Sequence, residues 1–377
     1  MARILASTIA LTQFSVTGSM PGSEEVFPTI SAALSTHAFQ AIDKSAEAHS
    51  AGWVQVDDTA VATFENPGSL HIDNLLLFSL RQDQRRIPAA VLNAEIKVDS
   101  DKFLKEHPNL RRVPKAKRAE IKELVTARLY AKTLPAPTVC DVAWDIKTGT
   151  LNLFANSQKQ IDNFDTIFRK TFPEFTLKQV IPYHRAEQEA AFLNLYDELV
   201  ASNQSNSDSL IALIRENTWI GKDFLLWLLA GCNSDKAAGF SAWIDNRLVM
   251  VGATNEGTQK ITVAGDVHDR MPTIKTALLD GKQITSATVY IEKDENLWRF
   301  TLSGDTFVIS GYRTPAVRME REIDEQVSEF QAAILEKMFL LNTGMTCLHT
   351  LLRMFLEERL STNWSDRLAE IQAWMEE

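Results

Sequence analysis

The sequence predicts an α+β protein with two β-sheet/helix subdomains followed by C-terminal helices. Three observations predict it. Apolar residues switch between a period of two and a period near 3.6 along the chain. Strand-like runs crowd between residues 240 and 310 with turn signals between them, and beyond Pro315 only helical spacing remains. With 377 residues, 45% of them hydrophobic, the chain can bury a large core and exceeds the size at which one core usually splits. The expected segments are 1–200, an α+β module with a basic helix; 201–315, a β-rich module; and 316–377, helical.

The elements follow in order. Ser7 to Val16 carries Ile9, Leu11, Phe14 and Val16 in a β-leaning pattern. Phe27 to His49 has helical spacing at Ile30, Ala33, Leu34, Ala38 and Ile42, until Gly52-Trp53-Val54 breaks it. Leu70 to Leu80 is an apolar run suited to a buried strand, and Arg81 to Arg86 reads as a basic turn after it. Pro88 suits the first turn of a helix over Ala89 to Val98, because that position needs no N–H. Pro108 and Pro114 bracket a loop, after which Lys115 to Lys132 forms a helix whose apolar stripe is Ile121, Leu124, Val125 and Leu129. Leu134-Pro135-Ala136-Pro137 ends it.

Thr138 to Ile146 and Thr150 to Ala155 read as strands joined through Gly149, completing a βαβ-rich half. Ser157 is the N-cap of a helix reaching Phe172, with Ile161, Phe164, Ile167 and Phe168 on its apolar face. Ser202 to Ser209 is a polar connection, and Lys222 to Cys232 a buried helix. Strands are expected over Phe240 to Val251, Gln259 to Ala264, Ile284 to Glu292, Leu297 to Leu302 and Thr306 to Ser310. Their hairpin signals are Asp245-Asn246, Asn255-Glu256-Gly257 and Gly304-Asp305. Three C-terminal helices are expected, divided near Asn342-Thr343-Gly344 and Leu360-Ser361. Their stripes are Ile323, Val327, Phe330 and Ile334; Leu348, Leu351, Leu352 and Phe355; and Leu368, Ile371 and Trp374.

Cys140, Cys232 and Cys347 are far apart, so neither a disulfide framework nor a cysteine zinc site is expected. No apolar run reaches the length of a membrane span, and Met1 to Val16 carries no recognisable cleavage site. A cytoplasmic protein without cofactors is the expectation.

Charge is the most uneven property of the sequence. Lys102 to Lys132 holds ten basic residues against three acidic ones, in a chain whose formal net charge is −10. The ten are Lys102, Lys105, Arg111, Arg112, Lys115, Lys117, Arg118, Lys122, Arg128 and Lys132, and Arg81, Arg85 and Arg86 form a second group. Such concentration points to a polyanion, with phosphates held by charge rather than bases read by a recognition helix. No phosphate-loop, dinucleotide, nucleophile-elbow or zinc-protease string is present. Tyr183-His184-Arg185 reads as a capping or surface cluster, and the tryptophans as core. Asp141 and Asp145 share a strand face and could join an Mg²⁺ site, so a metal-dependent nuclease is the enzyme alternative. A scaffold whose basic segment meets an acidic protein is a third.

The order of several strings resembles the RdgC family of bacterial recombination-associated proteins. They are Gly52-Trp53-Val54; Leu75 to Leu80 leading to Ile87-Pro88-Ala89-Ala90-Val91; Lys115-Ala116-Lys117-Arg118-Ala119-Glu120-Ile121; Leu134-Pro135; Trp144-Asp145; Thr148-Gly149-Thr150-Leu151; and Ala155-Asn156-Ser157. The resemblance implies a ring-shaped homodimer whose basic lining encircles double-stranded DNA without sequence preference. Single-stranded DNA is a further candidate ligand. It also implies a nucleoid-associated protein that restrains the RecA recombinase by occupying DNA, with no catalysis. The family's aromatic dimer hook after the basic helix is replaced here by Lys132-Thr133-Leu134-Pro135, making Leu134 the candidate contact. An acidic exterior is compatible with this, since it lies largely beyond a Debye length of about 8 Å from DNA in the hole.

Overall fold

The computed structural model describes residues 3–43, 45, 47–205, 207, 209–232, 238–254, 257–316 and 329–377. It is an α+β fold with two compact units interleaved along the chain. The larger holds Met1–Gly18, Lys147–Asn163 and Phe175–Glu377, and the smaller holds Ser19–Ile146 and Phe164–Glu174. The units interleave because long-range strand pairing joins the chain's first strand to its last.

In the smaller unit, α1 (Ser23–Thr36) precedes β2 (His49–Val54), the short α2 (Pro67–Leu70), β3 (His71–Ile72) and β4 (Leu75–Gln84). Then come α3 (Ala89–Glu106), α4 (Lys115–Lys132) and β5 (Ala136–Asp145). The sheet runs β2-β4-β5 with antiparallel ladders, and β3 pairs with β4. This corrects the βαβ expectation. Leu75 to Leu80 is buried throughout, as a continuous apolar run requires. The second half of α5 (Gln158–Thr171) adds Phe164 and Phe168, and Phe172 follows it, to meet Trp53, Phe78 and Trp144 in an edge-on aromatic cluster. The Trp53 indole N–H donates to the Thr171 hydroxyl at 2.7 Å.

The predicted helix over Phe27 to His49 stops at Thr36. Its continuation is instead an irregular segment whose carbonyls, at Ile42, Asp43, Ser45 and Glu47, accept from the buried Arg85 guanidinium. Helical spacing in the sequence was overridden by a donor from a distant strand end.

In the larger unit, β1 (Ile9–Thr17) pairs with β6 (Thr150–Leu153), β7 (Thr176–Gln179) and β12 (Ile309–Arg313), all antiparallel. The sheet continues through β11 (Asn296–Ser303), β10 (Gln283–Lys293) and β8 (Ser241–Thr254) to β9 (Gly257–Ala264). Gly149, at φ +69°, makes the turn before β6. Asp245-Asn246 is not a hairpin turn. Asn246 takes φ +68° inside β8, where the register against β10 shifts, and the Asp245 carboxylate accepts from the Asn246 and Val267 N–H groups. Residues 255 and 256 of the next hairpin signal lie outside the described residues.

Helices α6 (Pro182–Leu193), α7 (Tyr196–Ala201), α8 (Leu210–Glu216), α9 (Trp219–Leu229), α10 (Met271–Leu279), α11 (Glu329–Arg359) and α12 (Trp364–Glu376) complete this unit. The expected break at Asn342-Thr343-Gly344 does not occur, and α11 is continuous. Gly344 is needed there for closeness rather than for a turn: a Cβ would collide with Tyr312 and Trp298. The Trp298 indole donates to the Leu340 carbonyl and the Tyr312 hydroxyl to that of Leu341. Ile334, Leu348, Leu351, Leu352, Phe355 and Ile371 are buried, while Ile323 and Val327 lie outside the described residues. Among the described residues no helix is long and apolar enough to cross a membrane.

The Tyr183-His184-Arg185 string sits in α6 with Tyr183 and His184 buried, which corrects its surface placement. His184 Nδ1 lies 2.9 Å from the Gln179 carbonyl, and burial lowers its pKa. On α11, burial together with the Arg185 and Arg353 guanidiniums holds the His349 imidazole well below its usual range. An unfolded histidine binds its proton near pH 6.5 whereas these folded ones resist it. The unfolded state therefore gains protons first on acidification, so stability is full above about pH 6.5 and declines below it. Thermal melts from about pH 7 to about pH 5 should show a falling midpoint, less steep in His349→Gln; equal slopes would exclude His349 as a contributor.

Candidate nucleic-acid interface

α3 and α4 form a helical hairpin within the smaller unit. The sequence places α4 between two proline-bearing segments, and its bounds are those predicted, Lys115–Lys132. Ile121 and Val125 form its buried stripe, whereas Leu124 is 62% exposed. On the neighbouring face, Lys115, Arg118, Ala119 and Lys122 follow helical spacing and look across a groove of about 1240 Å³. Its other wall is the α3 face of Asn93, Ile96, Lys97, Ser100 and Leu104, and Arg111 to Pro114 close one end. α3 outruns its predicted end at Val98 by two turns, reaching Glu106.

The predicted cations separate into four fates. Arg111, Arg112, Lys115, Arg118 and Lys122 line the groove with Lys97, and no carboxylate lines it. Among the described residues none of these six makes an ion pair. Lys117 and Arg128 are occupied otherwise. Lys117 pairs with Glu120 at 2.6 Å and stands over the Phe103 ring, and Arg128 bridges to Glu95 and Asp99 of α3 at 2.9 and 3.2 Å. The two Arg128 bridges tie α4 to α3, whereas the Lys117 pair lies within α4. Lys102, Lys105 and Lys132 are exposed but lie outside the groove lining.

The Arg81 to Arg86 group is not a basic turn. Arg81 lies in β4, paired with buried Asp83 at 2.8 Å and stacked over Phe39, and the Asp83 carboxylate raises its pKa. Arg85 is 3% exposed and its two Nη groups donate to the four carbonyls named above. Only Arg86 of the three is exposed. Arg85 is therefore buried away from solvent, and Arg81 is half-buried with its guanidinium held by Asp83.

Lys97 was missed because it precedes the dense charge run by five residues. The signal that could have found it is its register with Asn93, Ser100 and Leu104 on one face of a helix. Leu134, just past α4, is 84% exposed, and Tyr130 lines an adjoining cleft of about 500 Å³ with Lys122, Glu123 and Thr126.

The carboxylate pair considered for a metal does not form an open site. Asp141 is 1% exposed and accepts from the Ser79 hydroxyl at 3.0 Å. Among the described residues no three or more His, Cys, Asp or Glu side chains are grouped to hold an ion.

No curated protein matches the chain. A family model described as "RdgC: Putative exonuclease, RdgC" matches residues 13–193, a stretch that contains the whole α3–α4 hairpin. That match supports placing this stretch of the chain in the RdgC family.

Proposed function

We propose that this protein binds double-stranded DNA without sequence preference in recombination or replication, as a homodimer that closes around the duplex. By occupying DNA it restrains a RecA-type recombinase, and it works at the nucleoid. The observation that carries the reading is the α3–α4 groove, which six cations line with no carboxylate among its lining residues. Charges left unpaired at an open surface interact with phosphate oxygens and displace condensed counterions, a sequence-independent attraction. The match to the RdgC family model supports the recombination context. The exposed Leu134, just past the end of α4, supports a chain-to-chain contact, since an exposed apolar side chain gains by being covered. We assign no hydrolytic step.

Anisotropy titration of labelled duplexes tests this. Affinity should fall linearly with the logarithm of salt, by about 0.9 per phosphate contacted, and should match between duplexes of unrelated sequence. With Mg²⁺ added, labelled ends should persist. Salt-insensitive or sequence-dependent binding would sink the reading, and end loss abolished by Asp141→Asn would favour a nuclease.

A further inference from the structure

The groove is complete within one chain. α3 supplies Lys97, the connection supplies Arg111 and Arg112, and α4 supplies Lys115, Arg118 and Lys122, while half-buried Ile96, Ser100, Leu104 and Val113 lie at its base. Helices packed side by side have axes about 8–10 Å apart and are in contact, so the groove is a furrow open along their seam. The major groove of B-DNA alone is about 12 Å across, so a whole duplex does not sink into such a furrow, whereas one sugar-phosphate ridge can lie along it.

We propose that each chain clamps a single phosphodiester backbone of the duplex between α3 and α4, with Lys97 on one side of the strand and Arg118 and Lys122 on the other. One chain is then a complete DNA-binding unit, and affinity for a short duplex does not depend on ring closure. The inference rests on the duplex-binding reading above and adds to it the strand-level contact and the independence of the protomers. It also gives Lys97, which no charge-run argument selects, the same weight as the α4 cations. The apolar base favours the carbon faces of sugars rather than a hydrated acidic peptide, whose carboxylates would leave that base uncovered.

The test uses three full-length variants, Lys97→Glu, the triple Lys115→Glu/Arg118→Glu/Lys122→Glu, and Leu134→Glu, with a short labelled duplex as probe and sedimentation to read mass. All altered side chains are exposed, and circular dichroism checks the fold. Lys97→Glu should lower affinity on the order of tenfold and reduce the salt slope by about 0.9. Leu134→Glu, diluted until single chains predominate, should keep wild-type affinity within about twofold, as expected when phosphate contacts are unchanged. Full affinity in Lys97→Glu beside lost binding in the triple variant would overturn the clamp and leave duplex binding standing. Loss of binding with loss of the dimer would overturn the clamp as well. Wild-type affinity in both Lys97→Glu and the triple variant would refute duplex binding itself. Competition by polyglutamate but not by unlabelled duplex would point to an acidic protein instead and overturn both.

Discussion

Reversing Lys115, Arg118 and Lys122 together to Glu should lower duplex affinity on the order of a hundredfold or more and remove about three units from the salt slope. Each lysine or arginine that neutralises a phosphate contributes about 0.9 to that slope, and reversal adds repulsion to the lost attraction. The fold should survive, because all three side chains are exposed and none makes an ion pair among the described residues. Arg128 provides the contrasting case. Already bridged to Glu95 and Asp99, it should weaken DNA binding much less when changed to Ala, since its charge is locally compensated. Anisotropy for affinity and circular dichroism for fold make the measurement. Undiminished binding by a folded triple variant would remove the groove from consideration as the DNA surface.

The second large effect concerns stability and separates the two basic clusters. Arg85→Ala should destabilise the protein by about 3 kcal/mol, since hydrogen bonds to a charged donor are worth about 1.5–3 kcal/mol each and acceptors left behind are only partly rescued by water. Four carbonyl oxygens of the segment after α1 depend on this one side chain, and those of Ile42 and Asp43 share its Nη2. Arg85→Lys should recover only part of the loss, because an ammonium cannot reproduce the planar fork of donors. Urea unfolding followed by fluorescence reads the change, and duplex affinity of the folded fraction should be unaltered. A drop in affinity without a drop in stability would mean that Arg85 meets DNA after all.

Local signals were written plainly in the sequence. Prolines at 114 and 135 and a 3.6-residue apolar stripe fix α4, because backbone restriction and side-chain direction act over a few residues and need no partner from afar. The buried β4 run and the start of α5 just after Ser157 were legible for the same reason. Gly344 and Asn246 carried signals of equal strength that pointed to a break and a turn. Packing against Trp298 and Tyr312 keeps the first within a helix, and a ladder irregularity keeps the second within a strand.

The sequence by itself determined that positive charge is concentrated around α3 and α4 and which residues supply it. Tertiary structure alone decided how that charge is used. It buried Arg85 under four carbonyls, tied Arg81 to Asp83 and Arg128 to Glu95 and Asp99, and brought Lys97 into one groove lining with Arg118 and Lys122. An ionic side chain acts according to the acceptors within a few ångströms of it, where Coulomb attraction and desolvation are strongest, and residues far apart in the chain are placed there only by folding.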